Sequence, residues 1–239
     1  MRKTILTILA CVAAMLCQAQ ENPAYRIFTS DGEKTDYGTM LKALSKADVI
    51  FIGETHNCPI SHWIEYEVIS DMARKHPRGL VIGAEMLESD NQLLVDEYVS
   101  GVISSDRFES EAKLWDNHYT DYAPLLYLAR DKGFRFIATN VPRRYASFVK
   151  DNGLDALSGL SDAAKALMAP LPVAYDESTA ENEMFSFMNM MGGHGQQNHY
   201  AEAQALKDAS MAWFIAQNLD GKFIHVNGNF HSDHNGGII

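Results

Sequence analysis

Asp48-Val-Ile-Phe-Ile-Gly-Glu-Thr-His56 is the stretch on which the reading of this chain turns. The apolar run Val49 to Ile52 is too short for a helix and does not alternate with polar residues, so it predicts a strand buried on both faces. Gly53 ends it, and Glu54 and His56 follow at once. In α/β proteins ligands sit at the carboxyl ends of parallel strands, so a carboxylate and an imidazole placed there mark a candidate site.

Three later stretches repeat the design. Gly79-Leu-Val-Ile-Gly-Ala-Glu85 predicts a second strand with an acid at its end, and Phe134 to Ala138 a third that delivers Asn140, Pro142, Arg143 and Arg144. Lys222-Phe-Ile-His-Val-Asn227 predicts the last, followed by Gly228-Asn-Phe-His231 and then His234. Between the first two, Pro59 suits a first helical turn, and Ile60, Ile64, Val68 and Met72 recur every fourth residue. Glu65, Glu67, Asp71 and Arg74 lie off that stripe, and His76-Pro77 ends the helix. Ser89 is placed to cap a helix reaching Gly101, and a further helix over 120–132 stops at Gly133. This alternation predicts an α/β fold, a mostly parallel sheet flanked by helices with right-handed crossovers. From about 151 to 219 strand patterns give way to short helices at 155–169 and 178–191 and a long one at 199–219, expected as an inserted helical subdomain. Ahead of the first core strand, residues 20–40 read as an entry segment with a turn at Asp31-Gly32, and Thr39 to Ala47 as a short helix.

The chain has 239 residues, 46% of them hydrophobic, which suits one large domain. Arg2 and Lys3 followed by the apolar Ile5 to Leu16 and by Cys17-Gln18-Ala19 have the three parts of a signal peptide, residues 1–19. An exported protein starting near Gln20 is expected, periplasmic or associated with the outer membrane. Removing Arg2 and Lys3 leaves 18 of the 20 basic residues against 31 acidic ones, a net charge of about −13. That balance argues against nucleic acid, which is held by basic contacts to phosphate. Lipidation at Cys11 or Cys17 would make the protein a lipoprotein, although Leu16 is a poor neighbour for such a site. Otherwise Cys58 is the single thiol left, and no internal disulfide can form.

Four strand ends thus share one edge: Glu54 and His56, Glu85, Arg143 and Arg144, and His231 and His234. Glu54, His56, Glu85, His231 and His234 supply enough donors for a divalent metal with an open position. A carboxylate left over could act as general base on a bound water. Arg143 and Arg144 suit a carboxylate or a haem propionate, and the neighbouring Tyr145 could ligate iron. The run from Met184 to His194, with Met188 and His194 as axial candidates, fits either a haem pocket or ordinary core packing. His199 and Tyr200 open the long helix and could face the same space. His225 reads as a core residue, Cys58 as a plain thiol, and His62, His76 and His118 belong to no constellation.

Taken together, Gly53-Glu-Thr-His56, Glu85, Asn140-Val-Pro-Arg143, the helix with Ala203-Gln204, Asp208 and Met211-Ala212, and Gly228-Asn-Phe-His231 resemble the ChaN-like haem-binding family. That family lies in a superfamily with the Tiki metalloproteases and the erythromycin esterases. The resemblance covers about residues 45–239. It implies an exported, often lipid-anchored protein of haem or iron uptake, a homodimer around haem, an outer-membrane haem receptor as partner, and a tyrosine iron ligand, for which Tyr145 is the candidate. The hydrolase relatives imply instead a catalytic role for Glu54, His56, Glu85 and His231. The poor lipidation site and a short C-terminus depart from the family pattern. Two functions therefore stand as expectations, haem binding and metal-dependent hydrolysis, and they call on different residues.

Overall fold

A computed structural model describes residues 23–176 and 199–239. The described residues fall into two compact units, the first ending at residue 40 and the second beginning at residue 41. In the first, strands β1 (Ile27–Phe28) and β2 (Lys34–Thr35) pair antiparallel. Gly32 turns the chain between them in the left-handed region (φ 80°), which its missing Cβ allows, at the turn expected from Asp31-Gly32. Helix α1 (Tyr37–Leu44) follows.

The second unit is built on four parallel strands, β3 (Val49–Glu54), β4 (Leu80–Glu88), β5 (Arg135–Asn140) and β6 (Lys222–Gly228), in the spatial order β3-β6-β4-β5. All four strands expected from sequence are present, and the α/β expectation holds. The last strand in the chain is inserted between the first two, so its carboxyl end lies beside both of theirs. Every residue of β4 is buried, as an apolar run covered on both faces must be.

Helix α2 (Pro59–Lys75) links β3 to β4, starting at Pro59 as read from sequence. Its buried face is rotated from the expected stripe. His62, Glu65, Val68, Ile69, Met72 and Ala73 point inward, while Ile60 and Ile64 are only half-buried. Helices α3 (Gln92–Val99), α4 (Ser105–Glu111) and α5 (Ala123–Lys132) lie between β4 and β5. A π-helical turn over His118–Tyr122 precedes α5, and Gly133 ends it in the left-handed region.

After β5 the chain is helical: α6 (Arg143–Asn152), a 3-10 turn over Leu154–Gly159, α7 (Asp162–Lys165) and α8 (Tyr200–Gln217). The helix expected at 178–191 lies outside the described residues, as do Met188 and His194. Helix α8 packs directly on the sheet, where Met211 and Ile215 meet Val81, Ile137 and Phe223. Its other contacts join α6 in a second apolar cluster of Val141, Val149, Leu157, Met168 and Leu206.

Candidate functional site

The carboxyl ends of β3, β4 and β6 set the site. Strand β4 pairs with β6 only as far as Ala84, opposite Val226, and its register with β5 slips between Ala84 and Glu88. Past Ala84 the strand thus leaves β6, and it rejoins β5 only at Glu88, opposite Asn140. Glu85 Oε2 accepts the backbone N–H of Gly228 at 2.8 Å, which ties the end of β4 to the end of β6.

Two histidines present the same design from opposite sides. His56 Nδ1–H donates to Glu54 Oε1 at 2.6 Å, and His231 Nδ1–H donates to Asp208 Oδ1 at 2.5 Å. Each ring is held by a buried carboxylate, so its Nε2 is fixed in direction. His231 Nε2 lies 3.2 Å from Glu85 Oε1. His56 Nε2 lies over Gly228, where a Cβ would come within 2.7 Å of it and 3.5 Å of Glu85 Oε2. A side chain at 228 would collide with the imidazole, and glycine is what lets the ring approach.

The charges follow from these contacts. Burial pushes the His231 imidazolium down, but bonds and charge from Asp208 and Glu85 outweigh it and raise its pKa to about 9. Burial alone would raise Glu85, yet His231 and the Gly228 amide bring it to about 2. At neutral pH these two are an ion pair. Asp208 is shifted upward by its burial, which the His231 contact only partly offsets. The hydrogen bond to Glu54 raises His56.

Behind His56 lies a second polar layer. The Tyr122 hydroxyl donates to Glu54 Oε1 at 2.7 Å, and His62 Nδ1 is 3.1 Å from Glu54 Oε2 and 3.4 Å from Glu65 Oε2. Burial and the charge of Glu54 raise Glu65 to about 9. Asn117 Nδ2–H donates to the His56 carbonyl and to Asp121 Oδ2, and Trp115 sits edge-on to the His56 ring at 4.9 Å.

A cavity of about 420 Å³ opens in front, lined by His56, Glu85, Glu88, Asn140, Gln204 and His231 among others. Of the residues expected at the strand ends, Glu54, His56, Glu85 and His231 come together, and Arg143 lines the cavity as well. His234 does not join them: it is exposed, with φ 55°, in a turn past the site. Nor do the five expected metal ligands gather as one set. Both His231 nitrogens are engaged by carboxylates, and the described donors that do converge are Glu54, His62 and Glu65.

Arg144 turns away to an ion pair with Asp90, and its guanidinium covers the Tyr145 ring 4.6 Å from the centroid. Tyr145 packs, half-buried, against the α6 cluster. His199 Nδ1 is bonded to Glu202, and Tyr200 reaches the cavity wall. His225 is a core residue as expected, bonded to Thr139 at 2.7 Å and Asn227 at 3.1 Å, with burial lowering it to about 4. His118, buried beside Phe108, is likewise pushed down to about 4. Sequence reasoning missed the roles of His62, Glu65, Tyr122 and Asp208. The first pair has the i, i+3 spacing of one helix face, which could have shown it. Tyr122 and Asp208 meet their partners only through the fold.

A second cavity, about 580 Å³, lies in the helical part between Leu154, Asp155, Ser158, Lys165, Pro170, Leu171, Pro172 and Val173. Leu154, Leu171 and Val173 belong to the same apolar cluster as Tyr145.

The chain resembles several known proteins. In overall structure it matches ChaN of Campylobacter jejuni, a protein that binds haem cofacially, with a TM-score of 0.69 and 19% identity over 92% of this chain and 85% of that one. This likeness shows the fold. A toxin effector domain, RRSP of Vibrio vulnificus, covers 83% of this chain at 19% identity, but only 31% of its own length, with a TM-score of 0.45. In sequence, the chloroplastic protein RETICULATA-RELATED 5 of Arabidopsis thaliana is 24% identical over 133 residues, 53% of this chain. The chain spans about a fifth of that relative's length, 18%. The family model described as haem-binding uptake, Tiki superfamily, ChaN matches residues 40–239, the whole of the sheet, the paired histidines and the helical part, and to that family the chain belongs.

Proposed function

We propose that this chain is an exported haem-binding protein serving haem or iron uptake. The observation that carries the reading is the family match over residues 40–239. The basic, then apolar, N-terminal segment supports export. The strand-end cavity, lined by carboxylates and imidazoles, does not suit a flat apolar porphyrin. The groove of Leu154, Leu171, Pro172 and Val173 does, with Lys165 at its wall for a propionate. Tyr145 packs on the same cluster, and the Arg144 guanidinium is hydrogen-bonded to it. Haem supplies an iron that accepts a tyrosine oxygen. A haem titration of the purified protein, followed in the Soret region, tests this. Saturable binding weakened by Leu171→Asp, with a band shifted in Tyr145→Phe, is expected. No Soret change on haem addition refutes haem binding, and an unshifted band in Tyr145→Phe refutes the ligand.

A second reading, a hydrolase acting at the strand ends, is favoured by one observation: two carboxylate-anchored histidines flank Glu85 at the wall of one cavity. The His231 imidazolium would stabilise developing negative charge, and His56, half open to solvent, would carry a proton through Nε2. Screening ester, amide and phosphate substrates against the protein and His56→Ala tests it. Turnover lost in the variant supports it, and no turnover of any class counts against it.

A further inference from the structure

The geometry points to a buried divalent-cation site made by Glu54 Oε2, His62 Nδ1 and Glu65, behind the His56 ring and apart from the groove assigned to haem. The three donors lie within 4.8 Å of one another, and all three residues are buried. Their separations from His62 Nδ1 are 3.1 Å to Glu54 and 3.4 Å to Glu65. Ligands bonded at about 2.0–2.1 Å around a tetrahedral centre stand roughly 3.3 Å apart, so the pairs need little movement to close on an ion.

Hydrogen bonding within the cluster gives the independent argument. His62 Nε2 is 3.0 Å from the His56 carbonyl, which can only accept, so Nε2 carries the proton. In the neutral ring Nδ1 is then a lone pair; it faces the acceptor Glu54 and the buried Glu65, whose carboxyl is held well above its ordinary range by burial and by the charge of Glu54. Glu54 and Glu65, each 1% exposed, keep Oε2 and Oε1 respectively without a hydrogen-bond partner. Left bare, this cluster is electrostatically unfavourable in the interior; either a proton on Glu65 or a cation between the three residues closes it, and donors already near ligand spacing favour the cation.

The surroundings suit a metal too. Glu54 Oε1 is occupied by Tyr122 and His56, which fixes the carboxylate and leaves Oε2 free to turn inward. Asp121 Oδ2 lies 3.4 Å from His62 Nε2, the carboxylate commonly found on the far nitrogen of a ligating imidazole. Two carboxylates and one imidazole favour a first-row ion, zinc or manganese, over calcium or magnesium. Such an ion would also tie α2 to the end of β3, and through Glu54 it would hold the His56 ring in place.

The test is metal analysis of the full protein, in samples without Soret absorbance, after dialysis with and without chelator, paired with thermal unfolding in added Zn²⁺ or Mn²⁺. One ion per chain is expected, with a rise in Tm of roughly 5–11 °C at a hundredfold excess over Kd. Glu65→Gln should lower affinity at least tenfold and remove that rise, whereas His231→Leu should keep the ion. The glutamine also imitates a protonated Glu65. Metal-free protein, no Tm response to either ion, and a Glu65→Gln variant as stable as the wild type would show that a proton closes the cluster and overturn the proposal. Loss of the ion in His231→Leu but not in Glu65→Gln would overturn it as well, by moving the site to the strand ends. Haem binding fails or succeeds in a separate spectrum, so the two readings are judged apart.

Discussion

Replacing His231 by leucine keeps most of the side-chain volume and removes the one cation between Glu85 and Asp208. Its Nε2 and Nδ1 lie 3.2 Å and 2.5 Å from those two carboxylates, and all three residues are buried. Raising the imidazole from its ordinary 6.5 to about 9 corresponds to about 3 kcal/mol of folded-state stabilisation, within the roughly 3–5 kcal/mol that breaking a buried pair costs. For a chain of this size that is a loss of about 6–12 °C in Tm at pH 6. A group raised in the folded state contributes fully below its unfolded pKa near 6.5, and the contribution fades as pH climbs through about 9. Glu85, depressed to about 2, contributes above 4.5 and loses that contribution as pH falls through about 2. The gap in Tm between wild type and His231→Leu should therefore be widest between about pH 4.5 and 6.5 and narrow by pH 9. Thermal unfolding followed by circular dichroism at several pH values measures it. Adding Glu85→Gln should recover part of the loss, because the carboxylate left without a partner is gone. A gap under 2 °C, or one that does not change with pH, would refute the ion pair as a source of stability.

Two glycines make sharper local tests. Gly228→Ala places a methyl 2.7 Å from His56 Nε2 with an ordinary backbone (φ −55°), so the fold should survive while the ring is displaced. Histidine NMR should then show the His56 pKa falling back toward 6.5 as its bond to Glu54 loosens; an unchanged titration would mean the ring was never pressed against that position. Gly83→Ala drives a Cβ to 2.7 Å from the Phe223 ring in the sheet core. Overpacking of this kind costs about 1–3 kcal/mol, several degrees of Tm, with the strand-end site intact; a Tm within 1 °C of wild type would show that the ring yields freely.

How far the sequence could be read follows from the range of each signal. The strands were legible because an apolar run ended by Gly53-Glu54 or Ala84-Glu85 is a local pattern, and local patterns survive folding. The same holds for Pro59 opening α2, Gly133 closing α5 and the long helix α8. Glu54, His56, Glu85 and His231 were legible as a group because parallel strands must bring their carboxyl ends to one edge. Partner identity was not. Asp208 sits on the buried face of α8 and Tyr122 at the end of a π-helical turn, and only the packing of those elements in the fold brings them to His231 and Glu54. Glu65 was misjudged for a different reason. A charged residue beside a four-residue apolar stripe is usually solvated, and here the helix is rotated so that His62 and Glu65 take the inner face. His234 failed in the opposite direction. Its closeness in sequence to His231 suggested a shared role, but a left-handed turn at His234 and Asn235 carries it into solvent.

The rotation of α2 and the anchoring of the two histidines belong to one argument. A helix that buries a histidine and a glutamate gives up apolar burial of about 1.5–3 kcal/mol per side chain relative to leucine or valine at the same positions. Nothing in packing requires that choice, since Ile60 stands half-buried two positions from His62 and Ile64 one position from Glu65. The polar inner face is explained by what it holds: Glu54, which in turn fixes His56 against Gly228. On the opposite side α8 does the same, burying Asp208 to fix His231 against Glu85. Two helices on different crossovers thus each sacrifice core to orient one imidazole at one cavity. An inert remnant of the fold would be free to replace Glu65 and Asp208 by aliphatic residues and become more stable. That stability is forgone twice, once on each side of the cavity, which supports the proposal that the strand-end cavity does chemistry whether or not the helical groove also takes haem.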